Sequence, residues 1–207
     1  EIVHLLLDNV SENFNWRDIS PTIFGAVFES TLNPETRRSG GMHYTSIENI
    51  HKVIDPLFLD GLRSELDELK EIAVDNQRKR KLEAFQKKLA SLTFLDPACG
   101  SGNFLTETYL SLRKLENEVI SLLLYGQITF GDEHYNPIQV SIGQFYGIEI
   151  NDFAVTVAKT ALWIAENQMM QQTESIIHMH IDFLPLKSYA NTVSYTHLRA
   201  HETLSDL

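Results

Sequence analysis

Residues 94 to 105 read Phe94-Leu95-Asp96-Pro97-Ala98-Cys99-Gly100-Ser101-Gly102-Asn103-Phe104-Leu105. The apolar run Thr93-Phe94-Leu95, closed by Asp96-Pro97, predicts a short buried strand that ends at a loop. Two glycines then allow a sharp turn, and Phe104, Leu105, Leu112, Leu115, Val119 and Leu122 recur at helical spacing from about Asn103 to Leu124. After a loop-like stretch from Tyr125 to Gly143, Phe145-Tyr146-Gly147-Ile148-Glu149-Ile150 predicts a second strand. Asn151-Asp152 then opens a helix through about Gln172. Strand, glycine turn, helix, strand, helix is the start of a parallel α/β sheet.

Upstream, residues 1–92 carry a helical pattern with short breaks. Pro21 after Ser20 suits the first turn of a helix reaching Leu32, with Ile23, Phe24, Val27 and Phe28 on its apolar side, and Asn33-Pro34 ends it. Gly40-Gly41 leads into Met42-His43-Tyr44-Thr45-Ser46, and a new helix is predicted to begin at Thr45 or Ser46 with Glu48 in its first turn. Pro56 is expected to interrupt that helix. Leu57 to Leu92 reads as one or two long charged helices bearing one basic cluster, Arg78-Lys79-Arg80-Lys81 with Lys87-Lys88. A solvated helix face is the plain reading of that cluster and a phosphate contact the sharper one.

With 207 residues, 43% of them hydrophobic, the chain is long enough for one domain with a core and too short for two ordinary ones. No run approaches the length of a membrane span, and the first residues lack the cationic flank of a signal peptide, so a cytoplasmic protein is expected with no membrane partner. The single cysteine, Cys99, excludes an internal disulfide and a cysteine-rich zinc site. A balance of 17 basic against 28 acidic residues argues against a general polyanion binder. Residues 193–207 contribute only Arg199, Glu202 and Asp206 to it. A helical pattern already running at Ile2, with no initiator Met, suggests a piece of a longer protein.

Glycines directly after a strand let a ligand approach the backbone, and the following helix N-terminus offers unpaired N–H groups. A dinucleotide fingerprint would need a third glycine where Leu105 stands, and its acid would fall inside the helix; a phosphate loop would need a Gly-Lys-Ser/Thr that is absent. NAD and ATP are therefore poor candidates. Asp96, at the end of the first strand, can meet an ammonium group, and Glu149, at the end of the second, can accept two hydrogen bonds from a ribose diol. A ligand with an adenosine and an amino acid but no phosphate fits both, and that ligand is S-adenosylmethionine. Against these readings stand a plain turn for the glycines, a solvated acid for Glu149, and simple helix capping for Thr45. Cys99, inside the loop, is better read as a small packing residue than as a nucleophile.

The stretch DPACGSGNFL resembles the cofactor loop of class I methyltransferases that act on the exocyclic amine of adenine in DNA. The upstream Gly41-Met42-His43-Tyr44-Thr45-Ser46 resembles their cofactor-capping segment, and its position before the glycine loop is the order of the gamma class. The nearest likeness is to the methyltransferase domain of MmeI-like type IIL restriction–modification proteins. It is carried also by Ile54-Asp55-Pro56-Leu57-Phe58-Leu59-Asp60, Gly147-Ile148-Glu149-Ile150, Ala161-Leu162-Trp163-Ile164-Ala165 and Phe183-Leu184-Pro185-Leu186-Lys187, over about residues 15 to 192. The resemblance implies a partial Rossmann-like sheet over 93–192, preceded by a helical part over 1–92 that includes the cap. It implies Asp96, Pro97, Ala98, Gly100, Ser101, Gly102 and Asn103 as the cofactor loop. Glu149 with Ile150 then forms the ribose and adenine site, and Tyr44 with Thr45 the methionine-side cap. It implies double-stranded DNA as the partner of the intact protein, with nuclease and target-recognition regions on the same chain.

The family's Asn/Asp-Pro-Pro-Tyr/Phe loop, which holds the flipped adenine, has no counterpart, because no Pro-Pro occurs in the sequence. Asp182 precedes the place where the family's further acid near the cofactor adenine would fall. No catalytic residue is named, and the chain by itself is expected to be inactive. Residues 193–207 read as a sequencing-adaptor scar, so the four-residue spacing of His197 and His201 beside Glu202 is not taken as a metal site. His178-Met179-His180 reads as polar positions opening a strand. Two other classes stay open: a non-catalytic nucleic-acid-binding or scaffold module of the same fold, and an RNA or protein methyltransferase sharing the loop.

Overall fold

The computed structural model describes residues 20–24, 45–124 and 136–178, and the backbone of 192–194. A helical turn covers 21–24. Helix α1, Ile47–Ile54, is capped by Ser46, whose hydroxyl accepts from the Asn49 N–H at 3.4 Å. It runs without a break through a π-helical turn, Asp55–Leu59, into α2, Asp60–Lys70. The interruption expected at Pro56 does not occur. Proline lacks an N–H and sits at the start of the π turn, where the wider i→i+5 pattern, closed by the Asp60 N–H on the Asp55 carbonyl, absorbs the missing donor. Helix α3, Asp75–Ser91, completes the helical part.

Strand β1, Phe94–Asp96, leads through the glycine loop to α4, Asn103–Leu124. A 3₁₀ turn, Ile142–Gln144, precedes β2, Phe145–Glu149. Helix α5, Asp152–Ile177, is capped by Asn151, whose side chain accepts from the N–H groups of Phe153 and Ala154. It outruns the expected end near Gln172 by about a turn and a half. His178 closes it in the left-handed region (φ 53°), so that residue ends a helix and does not open a strand. Strand β3, Thr192–Ser194, crosses the expected boundary at 192. The three strands are parallel in the order β1-β2-β3, with Phe94 beside Phe145, Asp96 beside Gly147 and Gly147 beside Thr192. The α/β sheet preceded by helices is thus as expected; Tyr125–Tyr135 and the Phe183–Lys187 stretch lie outside the described residues.

Helix α4 is the centre of the molecule. It packs on α5, α3 and α1 and on both β1 and β2, and its buried set includes Leu105, Tyr109, Leu112 and Val119 together with Glu107, Arg113, Glu116 and Asn117. An aromatic column ties the π turn to the sheet and to α4. Phe58 meets Phe94 at 5.0 Å, Phe94 stacks on Phe145 at 5.3 Å, and Tyr109 meets Phe145 edge-on at 5.5 Å. Such pairs add about 0.5–1.5 kcal/mol each beyond the area they bury. The segment that carries the predicted cap is therefore anchored to the strands that carry the predicted loop.

Candidate functional site

Side chains on a strand alternate between faces, so Phe145, Gly147 and Glu149 share one side of β2 and all three lie inward. Asp96 ends β1 beside Gly147, and Glu149 ends β2 two residues further on. Parallel pairing thus puts both carboxylates at the same edge of the sheet, where the glycine loop leaves β1. The loop is pinned there. The Cys99 N–H donates to the Ile148 carbonyl at 3.0 Å and the Gly102 N–H to the Cys99 carbonyl at 2.8 Å. The Gly102 carbonyl then accepts from Thr106 at 2.8 Å, the first helical bond of α4. Asp96 accepts from the Ala98 N–H at 3.0 Å.

Gly100 and Gly102 both adopt left-handed backbone, with φ of 52° and 78°. Their surroundings differ. A Cβ on Gly102 would lie 2.8 Å from the Ala158 Cβ, so this glycine exists to let α5 pass close by. Among the described residues nothing lies within 4 Å of where a Cβ on Gly100 would sit, over the middle of the loop. Glu149 closes the loop from the other side. One oxygen accepts from the Gly100 N–H at 2.9 Å, and the other accepts from the Ile150 and Asn151 N–H groups, both at 2.8 Å.

Burial raises the Asp96 carboxyl above its usual value; the Ala98 N–H works against that shift and the nearby Glu149 charge adds to it. A cation beside Asp96 removes its desolvation and like-charge penalties together. Burial also pushes the Cys99 thiol up to about 12, with the charges of Asp96 and Glu149 adding. At neutral pH it is no nucleophile. It packs instead against Gly147, where a Cβ would lie 2.7 Å from its Sγ.

The other loop positions divide by exposure. Pro97 and Ala98 are exposed, while Ser101 and Asn103 are buried. The Asn103 Oδ1, at the head of α4, has no hydrogen-bond partner among the described residues. Beside Glu149, Ile150 and Phe153 expose apolar surface. Two carboxylates and an acceptor unmatched among the described residues, beside exposed apolar groups, form an acceptor-rich set that suits a ligand carrying a cation, hydroxyl groups and apolar surface. Thr45 immediately precedes the N-cap, and the capping role that rivalled its ligand role belongs to Ser46. Tyr44, Asp182, His197 and His201 lie outside the described residues. Among the described residues no group of three or more His, Cys, Asp or Glu is placed to hold a metal, and no helix is long and apolar enough to cross a membrane.

The sequence reading missed the polar residues inside α4. Glu107, one turn after Asn103, accepts from the Thr22 hydroxyl at 3.1 Å and faces His51 Nε2 at 3.1 Å. Further along, Arg113 pairs with Glu116 and donates to Thr173 at 2.7 Å. Glu116 also takes the Gln86 side chain at 2.9 Å and the Gln139 N–H at 2.6 Å. The available signal was partial: Glu107 stands three residues after Phe104 and Glu116 four after Leu112, at helical spacing from the apolar set, whereas Arg113 has no such neighbour in it.

Fold and site define an α/β domain with a glycine loop and two carboxylates at the ends of adjacent parallel strands. The family model of the MmeI DNA-methyltransferase domain matches residues 71–202, and the chain belongs to that family. That match extends past residue 192. The chain is 46% identical over 174 residues to DNA methyltransferase A of Bacillus subtilis (strain 168), over 84% of its own length and 18% of that protein. The structure matches that of the type IIL restriction–modification enzyme MmeI in complex with DNA with a TM-score of 0.75 at 44% identity, over 86% of this chain and 23% of that one. The chain therefore spans roughly a fifth of the length of the relatives it matches.

Proposed function

We propose that this chain is the cofactor-binding part of a DNA methyltransferase from a restriction–modification system, acting on the exocyclic amine of adenine in double-stranded DNA with S-adenosylmethionine. Family membership supports methyl transfer to DNA. The observation that carries the cofactor reading is the pairing of Asp96 and Glu149 at adjacent parallel strand ends around the glycine loop. On this reading β1, α4, β2, α5 and β3 are one half of a Rossmann-like class I sheet, and the protein is cytoplasmic. Nuclease and target-recognition regions belong to the same longer chain.

The cofactor supplies a methyl group made electrophilic by its sulfonium. The chain's own residues bind and orient it. Asp96 and the Asn103 Oδ1 meet the ammonium group of the amino-acid end, and Glu149 receives the ribose hydroxyls. Ile150 and Phe153 cover the adenine, and Tyr44 and Thr45 close over the methionine side. Pro97, Ala98, Ser101 and Gly102 shape the loop. Because Asp96 must be ionised to do this, binding releases a proton where its raised pKa leaves it protonated.

A non-catalytic module that keeps the fold is the second reading. One experiment separates the two. The gene is extended with its genomic downstream sequence, and the product is incubated with S-adenosylmethionine and duplex DNA before the nucleosides are analysed by mass spectrometry. N6-methyladenine supports the enzyme; methylated cytosine, or no methylated base from a folded product that binds the cofactor, removes the adenine reading.

A further inference from the structure

The helix that leaves the predicted cap and the helix that leaves the glycine loop are joined by one imidazole. His51 lies on α1, six residues after Thr45, and Glu107 lies on α4, four residues after Asn103. His51 Nδ1 is 2.8 Å from Asp55 Oδ1, and its Nε2 is 3.1 Å from Glu107 Oε1. Glu107 is buried and its other oxygen accepts from Thr22, so the N-terminal turn meets the same carboxylate. An ionised carboxylate only accepts hydrogen bonds, and a neutral imidazole has a single N–H. With both acids ionised, both contacts form together only when His51 is the imidazolium. A neutral ring must release one of them and turn a lone pair toward an anion.

We propose that His51 is a positioning residue which, as a cation, clamps the cap-bearing helix to the cofactor-loop helix and so couples cofactor affinity to pH. The proposal rests on the cofactor reading given above, but the clamp itself is visible without ligand. The charged surroundings are mixed. Arg63 of α2 lies 3.4 Å from the same Asp55 oxygen and 3.2 Å from Asp60. A cleft of about 360 Å³ beside the ring is bordered by Arg63, Asp67, Lys114 and Glu118. The two direct partners are both acids, and their hydrogen bonds hold the imidazolium above its usual pKa of 6.5, Asp55 most strongly, against the opposing effect of burial. Asp55 is correspondingly lowered by His51. The clamp is therefore complete below pH 6.5 and is lost as pH rises through the raised pKa of His51; at the acid end it persists until Asp55 is protonated.

The test titrates S-adenosylhomocysteine into the full chain by calorimetry from pH 5.5 to 8.5. Wild type is expected to bind about tenfold more weakly at the alkaline end, the size of one charge-assisted hydrogen bond. His51→Gln, whose amide offers a donor to only one acid, should bind weakly throughout. His51→Lys, charged over the whole range, should lose the alkaline weakening and keep only the pH dependence that Asp96 imposes on every variant. In parallel, NMR of the unliganded wild-type chain follows the His51 ring, and amide exchange follows residues 47–54 after correction for intrinsic rates. A His51 titration above 6.5, with faster exchange in α1 on the alkaline side, supports the clamp even if no ligand binds; absence of binding at every pH would then count against the cofactor reading alone. Equal pH profiles in wild type and His51→Gln, or a His51 titration at or below 6.5 with exchange in α1 indifferent to it, overturns the proposal.

Discussion

The Glu149 carboxylate accepts a hydrogen bond from the Gly100 N–H at 2.9 Å, across 49 residues of chain. The acid at the end of one strand thereby shapes the loop that leaves its neighbour. Replacement by Ala removes the acceptor for Gly100, Ile150 and Asn151 together, and Gln presents an amide N–H₂ where one oxygen had accepted. Glu149→Ala should weaken S-adenosylhomocysteine binding at least tenfold, and Glu149→Gln should fall between it and wild type. Calorimetric affinities for the three chains check this; Glu149→Ala binding as tightly as wild type would contradict it.

Two glycines should respond in opposite directions. Gly102→Ala combines left-handed backbone, which costs a side-chain-bearing residue about 1–2 kcal/mol, with a Cβ 2.8 Å from that of Ala158. Gly61→Ala lies in α2 with none of the described residues within 4 Å of the new methyl, and should gain about 0.5–1 kcal/mol from helix propensity. Thermal melts of both variants decide the matter. A Gly102→Ala chain as stable as wild type would mean that α5 does not approach the loop as described.

Glu116 is a hub with no exposed surface. It neutralises buried Arg113 and accepts from Gln86 and from the N–H groups of Gln139 and Val140. Removing one member of a buried pair leaves the other charge uncompensated, so Glu116→Ala should destabilise the chain by about 3–5 kcal/mol. Urea unfolding followed by circular dichroism measures it, and a loss under 1 kcal/mol would show that solvent reaches Arg113.

Glu166 gives a pH prediction of definite sign. Burial pushes its carboxyl up to about 7, against the opposing influence of the Arg113 charge and a backbone hydrogen bond from Ile142. The folded state holds this proton more tightly than the unfolded state, whose ordinary value is 4.5. Its contribution to stability is complete below pH 4.5 and declines as pH rises through about 7. The melting temperature of wild type minus that of Glu166→Gln should fall between pH 5 and pH 8. A constant difference would show that Glu166 is already ionised throughout.

The parts of the fold legible in the sequence were those whose meaning is local. Asp96-Pro97 marks a strand end, Gly100 and Gly102 mark a turn, and Asn151 marks a helix start, because each relies on its own backbone chemistry. Pro56 misled for the same reason: its local meaning is a break, whereas the π turn absorbs its missing N–H while Leu59 enters the core and Phe58 packs against it. Glu107, Arg113 and Glu116 were illegible because α4 is surrounded on nearly every side. Spacing shows where a helix has an apolar stripe, while a buried polar residue on its other faces takes its meaning from partners 30 to 85 residues away.

Calorimetric titration of the chain with S-adenosylhomocysteine, paired with the Asp96→Ala variant, tests the cofactor site most directly. Wild type should bind one ligand per chain, with the heat of binding lost in a variant that remains folded by circular dichroism. No binding by folded wild type, or equal binding by Asp96→Ala, would contradict the site.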